Sequence, residues 1–181
     1  TINPHKGDGA LYIHNLDANQ TIVPRGEGAK LDANDEFAVF RITPYADTIR
    51  KLKLDKVKED KLPKDSLGIY WPKKDSIYKV GHVTSFQIAE NGGSWIAYLS
   101  SKDERPSCPD KKCRLFKKKN KCERPQTSGK TLHLLNLKDG ATESIHAVVD
   151  FQLDPSGNTL VYTTSLQGKS DTLSMHMLSF Q

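Results

Sequence analysis

Hydrophobic and polar residues alternate along FQLDPSGNTLVYTTS (151–165), on both sides of a short turn. Phe151 and Leu153 would put one face of a strand toward a core, and a second β-rich run follows. Asp154-Pro155-Ser156-Gly157 is typical of a tight turn, because proline presets φ and glycine accepts a positive φ. The pattern predicts a β-hairpin.

This hairpin recurs twice. The segment AKLDANDEFAVFRI (29–42) aligns with it without a gap, and FQIAENGGSWIAYLS (86–100) aligns with one extra residue in the turn. The matched positions are Leu31 with Leu153, Asp32 with Asp154, Val39 with Val161, Phe40 and Tyr98 with Tyr162, and Phe86, Gln87 and Ile88 with Phe151, Gln152 and Leu153. The chain is therefore a repeat protein.

A short strand accompanies each hairpin, and four such strands begin near Leu11, Leu67, Leu132 and Leu173. The spacing of the last two fits a propeller period of about 40–45 residues, and insertions at about 45–64 and 101–129 account for the longer intervals. We predict units at about 10–42, 65–100 and 130–165, and the start of a further strand at 171–178.

The predicted fold class is all-β: a partial β-propeller of about three four-stranded antiparallel blades, with a short helical or charged insertion. A plain antiparallel sandwich is the alternative. Closed propellers have at least about four blades, so we expect open blade edges through which the chain self-associates, unless it is a fragment of a longer protein.

The insertion YADTIRKLKLDKVKEDKLPKD (45–65) lacks strand alternation. Ala46, Ile49 and Lys53 share a helical face, and Pro63 is a stop signal, so we predict a short, mostly solvated helix or a charged arm. Glu59 and Asp60 are candidate contacts for a substrate amine. The alternative is that they belong to a solvated charged surface.

The net charge of +5 comes from one segment. Residues 105–124 contain nine Lys or Arg and two acidic residues, which gives +7 there and leaves −2 for the rest. A basic cluster attracts phosphate, but Phe116 alone is available for stacking. We therefore expect a solvated basic arm and no nucleic-acid partner. No run of about 18 apolar residues exists, so no membrane span is expected.

The three cysteines, Cys108, Cys113 and Cys122, lie in this basic segment. Their spacing is not the paired C-x2-C of common zinc modules. Three alternatives remain open: a zinc site with a fourth ligand elsewhere, one disulfide that staples the loop, or free thiols.

Catalytic motifs are not found. Gly92-Gly93-Ser94-Trp95-Ile96 approaches G-x-S-x-G, but Ile96 stands where the second glycine is required. His82 and His146 precede hairpin strands, and His14, His133 and His176 lie in the unit-opening strands, so repetition suggests structural roles. We expect no cofactor and no metal, and the chain alone is not predicted to be an enzyme.

The hairpins, with LDPSGNTLVYTTS nearest to the repeat form, resemble the propeller repeats of TolB, of WD40-like proteins and of prolyl oligopeptidases. PKDSLGIYW (63–71), which follows FRITP and a lysine-rich arm, is similar to the N-terminal propeller region of Bacteroidetes peptidases of the prolyl-oligopeptidase (S9) family.

The resemblance implies a noncatalytic part that gates and positions peptide substrate for an α/β-hydrolase domain with a Ser-Asp-His triad, which these residues do not contain. It also implies a periplasmic or exported location, where a disulfide would be allowed. The alternative is a TolB-like periplasmic binding protein with no enzymatic activity.

Overall fold

The computed structural model describes residues 7–14, 20–101, 129–165 and 173–180. One helix in these ranges is α1 (Ala46–Leu54), and 3₁₀ turns lie at Glu59–Lys61 and Pro72–Lys74. The strands are β1 (Ala10–His14), β2 (Gln20–Pro24), β3 (Gly26–Leu31), β4 (Ala38–Ile42), β5 (Asp65–Trp71), β6 (Ser76–Ile88), β7 (Trp95–Ser100), β8 (Lys130–Asn136), β9 (Thr142–Leu153), β10 (Thr159–Ser165) and β11 (Leu173–Ser179).

The strands form antiparallel meanders in chain order. Among the described strands β1 pairs with β2 alone, and β3 to β11 form one continuous hydrogen-bonded series. Two long strands, β6 and β9, bend in the middle: each pairs with the preceding strand through its first half and with the following strand through its second half. The bends divide the series into packed sheets.

The bends share one backbone geometry. His82 in β6 and Ala147 in β9 both have φ of 62°, and Arg25, between β2 and β3, has the same value. Such a φ is uncommon for residues other than glycine and makes the strand turn sharply. The carbonyl of Arg25 accepts the backbone N–H of Thr43 at 3.0 Å, and that of His82 accepts the N–H of Ser101 at 2.8 Å.

We name the resulting sheets as blades. The first blade is β3, β4, β5 and residues 76–80; the second is residues 83–88, β7, β8 and residues 142–145; the third is residues 148–153, β10 and β11. The N-terminal sheet, β1 and β2, has the place of the last two strands of a preceding blade. The all-β partial propeller with a short helical insertion is thus confirmed.

Alternation along the strands places three hydrophobic clusters between the sheets. Val39, Leu67 and Ile69 of the first blade meet Ile96 and Tyr98 of the second. The opposite face of the second blade carries Ala97, Leu99, Leu132 and Leu134, which pack with Phe151 and Leu160 of the third. Leu11 and Val23 of the N-terminal sheet pack with Phe40 and Tyr70 of the first blade.

Successive residues of a strand point to opposite faces of its sheet. In these blades both sets of positions hold apolar residues, so each blade is apolar on both sides.

An aromatic pair marks the repeat inside each blade. Tyr98 stacks on His133 and Tyr162 stacks on His176, with ring centroids 5.0 Å apart in both blades. In the first blade the corresponding pair is Phe40 over Gly68, where an added Cβ would lie 2.1 Å from Phe40 Cε2. The strand registers agree with the predicted matches of Phe40 and Tyr98 with Tyr162.

The strand registers show which residues of the unit-opening strands are equivalent. In the strand pairing, Leu11, Leu67 and Leu132 each lie opposite the residue that stands two positions before a bend. The residue of β11 at the same place in its blade is Met175, not Leu173. For the same reason Tyr12, not His14, is the equivalent of His133 and His176. A strand's alternation does not fix its register against its neighbour, and cross-strand packing decides it.

The sheets are offset from the predicted units. The unit at about 10–42 contains β1 and β2, which form their own sheet, together with β3 and β4, which open the first blade. The helix in the insertion is confirmed, but it ends at Leu54, well before Pro63, because Lys56 adopts a φ of 55° and Val57 bonds back to Leu52 O.

Candidate functional site

A cavity of about 700 Å³ lies between α1 and the turn that leads from the N-terminal sheet into the first blade. Its lining combines three cations, three carboxylates and small or apolar residues: Gly7, Asp8, Gly9, Arg25, Gly26, Glu27, Thr43, Pro44, Ala46, Ile49, Arg50, Lys53, Leu54, Pro63 and Asp65. A second cavity, of about 420 Å³, shares Arg25, Thr43, Pro44 and Pro63 with it. Arg25 therefore lies where the two cavities meet.

Two contacts fix the position of the Arg25 guanidinium. Its Nη1 donates a 2.7 Å hydrogen bond to the Thr43 carbonyl, and its guanidinium lies 3.8 Å from the centroid of the Tyr45 ring. Its Nε is buried and has no hydrogen-bond partner among the described residues. A guanidinium fixed in this way is suited to a carboxylate or phosphate ligand.

Local structure explains this placement. Arg25 is the bend residue, so its backbone carbonyl is tied to Thr43 N–H and Thr43 Oγ1, just after β4. The next residues, Pro44 and Tyr45, lead into α1, whose Ala46 N–H bonds Asp8 Oδ1 at 2.9 Å. The bend at Arg25 and the start of α1 are thus linked through Thr43, Pro44 and Tyr45.

Three of the other charged side chains in the lining already have a polar partner. Asp8 caps α1, Asp65 pairs with Arg41 at 3.5 Å, and Arg50 lies 3.5 Å from Asp47. Glu27 and Lys53 complete the charged lining. The cavity can therefore take a ligand that carries both an anionic and a cationic group.

Nucleophilic side chains are scarce in the described lining of this cavity. Among its described residues there is no Ser, Cys or His, and the Thr43 hydroxyl already donates to the Arg25 carbonyl. Nucleophilic catalysis needs a hydroxyl or thiol beside a base, and this lining offers no such arrangement.

Glu59 and Asp60, the predicted contacts for a substrate amine, lie in the exposed 3₁₀ turn after α1. The Glu59 carbonyl accepts a 2.8 Å bond from Lys64 Nζ. Neither residue is in the lining of the two cavities described above. Their role as amine contacts stays a prediction.

Three of the described histidines contact a hydroxyl group on the neighbouring strand. His146 Nδ1 lies 3.2 Å from Thr131 Oγ1, His133 Nδ1 lies 2.9 Å from Ser144 Oγ, and His176 Nε2 lies 3.0 Å from Thr164 Oγ1. His82 acts through its backbone at the bend. These contacts hold neighbouring strands together within or between blades.

Ser94, in the segment closest to a serine-hydrolase motif, lies in the turn between β6 and β7. Its carbonyl accepts the N–H of Leu137 at 2.7 Å. Within the described ranges, no three His, Cys, Asp or Glu side chains are grouped closely enough to hold a metal ion. No helix in these ranges has the length and hydrophobicity to cross a membrane.

Cys108, Cys113, Cys122 and the basic residues 105–124 lie outside the described residues.

Sequence reasoning missed Arg25. The equivalence lies at the repeat level: TIVPRG (21–26) stands where YKVGHV (78–83) stands in the next unit, so Arg25 and His82 occupy one bend position. That equivalence emerges only when the strand registers are known.

No protein-family model matches the chain, and no curated protein is significantly similar to it. Acylaminoacyl peptidase from Pyrococcus horikoshii aligns with a TM-score of 0.48 at 9% identity, over 96% of this chain and 27% of the peptidase. An acylaminoacyl peptidase in complex with Z-Gly-Gly-Phe-chloromethyl ketone gives 0.43 at 9% identity, over 95% and 27%.

The β-propeller domain of the Trilobed protease from Pyrococcus furiosus, which has an open velcro topology, gives a TM-score of 0.37 at 8% identity, over 95% of this chain and 60% of that domain. The chain spans about a quarter of the length of the two acylaminoacyl peptidases.

Proposed function

We propose that this chain is the noncatalytic propeller part of an S9-type serine peptidase, which gates and positions peptide substrate for an α/β-hydrolase domain outside these residues. The observation that carries the proposal is the stack of equivalent blades joined by identical bends at Arg25, His82 and Ala147. The segment that resembles S9 peptidases, PKDSLGIYW (63–71), contains β5, one of the two central strands of the first blade.

The cavity beside α1 supports a positioning role. A short peptide is zwitterionic, and the lining offers the guanidinium of Arg25 for a terminal carboxylate and the carboxylates of Glu27 and Asp65 for an amine. Pro44 and Ile49 provide apolar surface for a side chain. The lysine-rich insertion forms one wall of this site.

The binding step is tested on the chain itself by calorimetric titration with a tetrapeptide and with the same tetrapeptide amidated at its C-terminus. The free acid is expected to bind at least about tenfold more tightly than the amide, and Arg25→Met to remove that difference. Lys73→Met, an exposed lysine outside the cavity, is the matched control. Equal binding of acid and amide would exclude the carboxylate role of Arg25.

The peptidase assignment has a separate test. The gene that encodes these residues is sequenced, and a G-x-S-x-G motif followed by Asp and His is expected beyond the propeller. The isolated 181-residue chain should cleave no prolyl or dipeptidyl chromogenic substrate. A reading frame that contains a propeller and no hydrolase would favour a TolB-like binding protein, for which we also propose a periplasmic location.

A further inference from the structure

We propose that the second cavity, of about 420 Å³, is an anionic subsite that receives the acidic side chain of a peptide whose C-terminal residue is Glu or Asp. This rests on the proposed function, in which Arg25 takes the terminal carboxylate, because the same Arg25 lines both cavities. Two observations support it: the charges in the second cavity, and the residues that the first two blades place at equivalent positions.

The two cavities differ in charge. The first is lined by three cations and three carboxylates. Among the described residues that line the second, three are cations, namely Arg25, Lys64 and Lys79, and none is a carboxylate. A cleft lined by charges of one sign attracts a ligand of the opposite sign, and walls of low polarity strengthen that attraction. The second cavity is therefore suited to an anion.

Strand alternation separates Asp65 from the second cavity. Asp65 stands between Lys64 and Ser66 at the start of β5, and successive residues of a strand point to opposite faces. Lys64 and Ser66 line the second cavity. Asp65 lines the first cavity and pairs with Arg41 at 3.5 Å. The Nζ of Lys64 donates a 2.8 Å bond to the Glu59 carbonyl, a neutral acceptor that leaves the positive charge in place.

In the second blade, the equivalent positions hold two pairs of side chains that link β8 with β9. Thr131 Oγ1 lies 3.2 Å from His146 Nδ1, and Ser144 Oγ lies 2.9 Å from His133 Nδ1. Both pairs lie beside the bend at Ala147. Both hydroxyl groups therefore have a partner on the neighbouring strand.

In the first blade, glycine replaces one member of each pair. The strand registers give the equivalences: Ser66 with Thr131, Gly81 with His146, Gly68 with His133, and Lys79 with Ser144. Glycine has no side chain, so Ser66 and Lys79 lack the cross-strand partner that their equivalents have. A Cβ added at Gly81 would meet no described atom within 4 Å apart from its chain neighbours, so the space there is open. The first blade thus offers a hydroxyl and an ammonium group to the second cavity.

The start of α1 adds to the positive potential. Tyr45, the N-cap residue, and Thr48, in the first turn, both line the second cavity. The N-terminal end of a helix carries a partial positive charge, which favours an anion nearby. Asp47 opposes this effect, but its side chain is 82% exposed and pairs with Arg50, and neither of these residues lines the second cavity.

The position of Arg25 determines which residue of the peptide reaches the second cavity. The proposed function places the terminal carboxylate at Arg25 and the rest of the peptide in the first cavity, toward Glu27. The second cavity, on the other side of Arg25, then receives the side chain of the C-terminal residue. Pro24 and Pro44 contact its methylene groups, and Lys79 binds its carboxylate.

Calorimetric titration of the 181-residue chain with four tetrapeptides tests the proposal. The peptides share their first three residues and end in Glu or Gln, each as the free α-acid and as the α-amide. The Glu peptide is expected to bind at least about tenfold more tightly than the Gln peptide in both forms. Lys79→Met should bring this ratio below about threefold, and Lys79→Arg, which keeps the charge, should largely preserve it.

Lys74→Met is the matched control, since Lys74 is an exposed lysine in the 3₁₀ turn before β6 and lines neither of the two cavities. A fifth peptide, with Glu at its second position and Gln at its end, measures general attraction to a basic chain and should bind like the Gln peptide. Lys79 is also exposed, so unchanged circular dichroism is the check on folding.

The two proposals fail differently. If the Glu and Gln peptides bind equally while the acid exceeds the amide, the subsite is refuted and the carboxylate role of Arg25 stands. If the acid and the amide bind equally while Glu exceeds Gln, the role of Arg25 is refuted and the subsite is supported. No binding by any of the peptides would overturn both.

The variants give two further outcomes that overturn the subsite. Equal loss of the Glu preference in Lys79→Met and Lys74→Met would mean that it reflects net charge alone. Loss of the acid preference, but not of the Glu preference, in Lys79→Met would place the terminal carboxylate in the second cavity.

Discussion

The second and third blades have the same internal construction but different surroundings. Each has a tyrosine stacked on a histidine at 5.0 Å, and the registers of their paired strands agree around that pair. The second blade is covered on both faces, and the third on one face only within the described residues. Cross-strand packing therefore sets the geometry within a blade, and burial at a repeat position depends on the neighbouring blade.

The largest expected difference is between two equivalent positions, Leu134 and Met177. Leu134→Asp would bury an unpaired carboxylate between blades and should lower the free energy of unfolding by more than about 4 kcal/mol. Met177→Asp should change it by less than about 0.5 kcal/mol, because that side chain is exposed. Urea unfolding of the two variants measures both. Similar losses would refute the assignment of the two faces.

A smaller difference is expected between the two faces of the third blade itself. Phe151 is buried against the second blade, so Phe151→Ala should cost about 3–5 kcal/mol. Met175→Ala, on the outer face of the same blade, should cost less than about 0.5 kcal/mol. Thermal unfolding of the two variants compares them, and a costly Met175→Ala would show that the outer face is already covered.

The smallest expected difference concerns the glutamine contact between first strands. Gln87→Ala leaves the Leu153 N–H and the Phe151 carbonyl without this partner and should cost about 1–3 kcal/mol. Gln152→Ala removes only contacts of 3.4–3.5 Å and should be close to neutral. Hydrogen exchange at the Leu153 amide would report the local opening. Equal effects on stability would mean that Gln87 does not join the blades.

Much of the repeat could be predicted from the sequence. The turn Asp154-Pro155-Ser156-Gly157 is formed with Ser156 N–H and Gly157 N–H bonded back to Asp154, as its residue types predict. The turn at Asp32 has the same bonds from Asn34 N–H and Asp35 N–H. Because turn chemistry and alternation are local, the predicted hairpin matches agree with the observed strand pairing.

The site was harder to predict, since its residues come from separated segments. Asp8, Arg25 and Asp65 line one cavity because the folded chain brings the segment before β1, the bend at Arg25 and the start of β5 next to α1. Glu59 and Asp60, chosen for their charge, lie in an exposed turn nearby. A charge pattern identifies solvated residues but does not show which of them line a cavity.

The sequence by itself determined the hairpins, their turns and the apolar faces of the strands, because these depend on residues close together in the chain. The tertiary structure decided where one blade ends and the next begins. A positive φ at His82 and Ala147 bends strands of 13 and 12 residues, so that each strand contributes to two blades. That bend is favourable only when the two halves pair with different neighbours, and this is a long-range property of the folded chain.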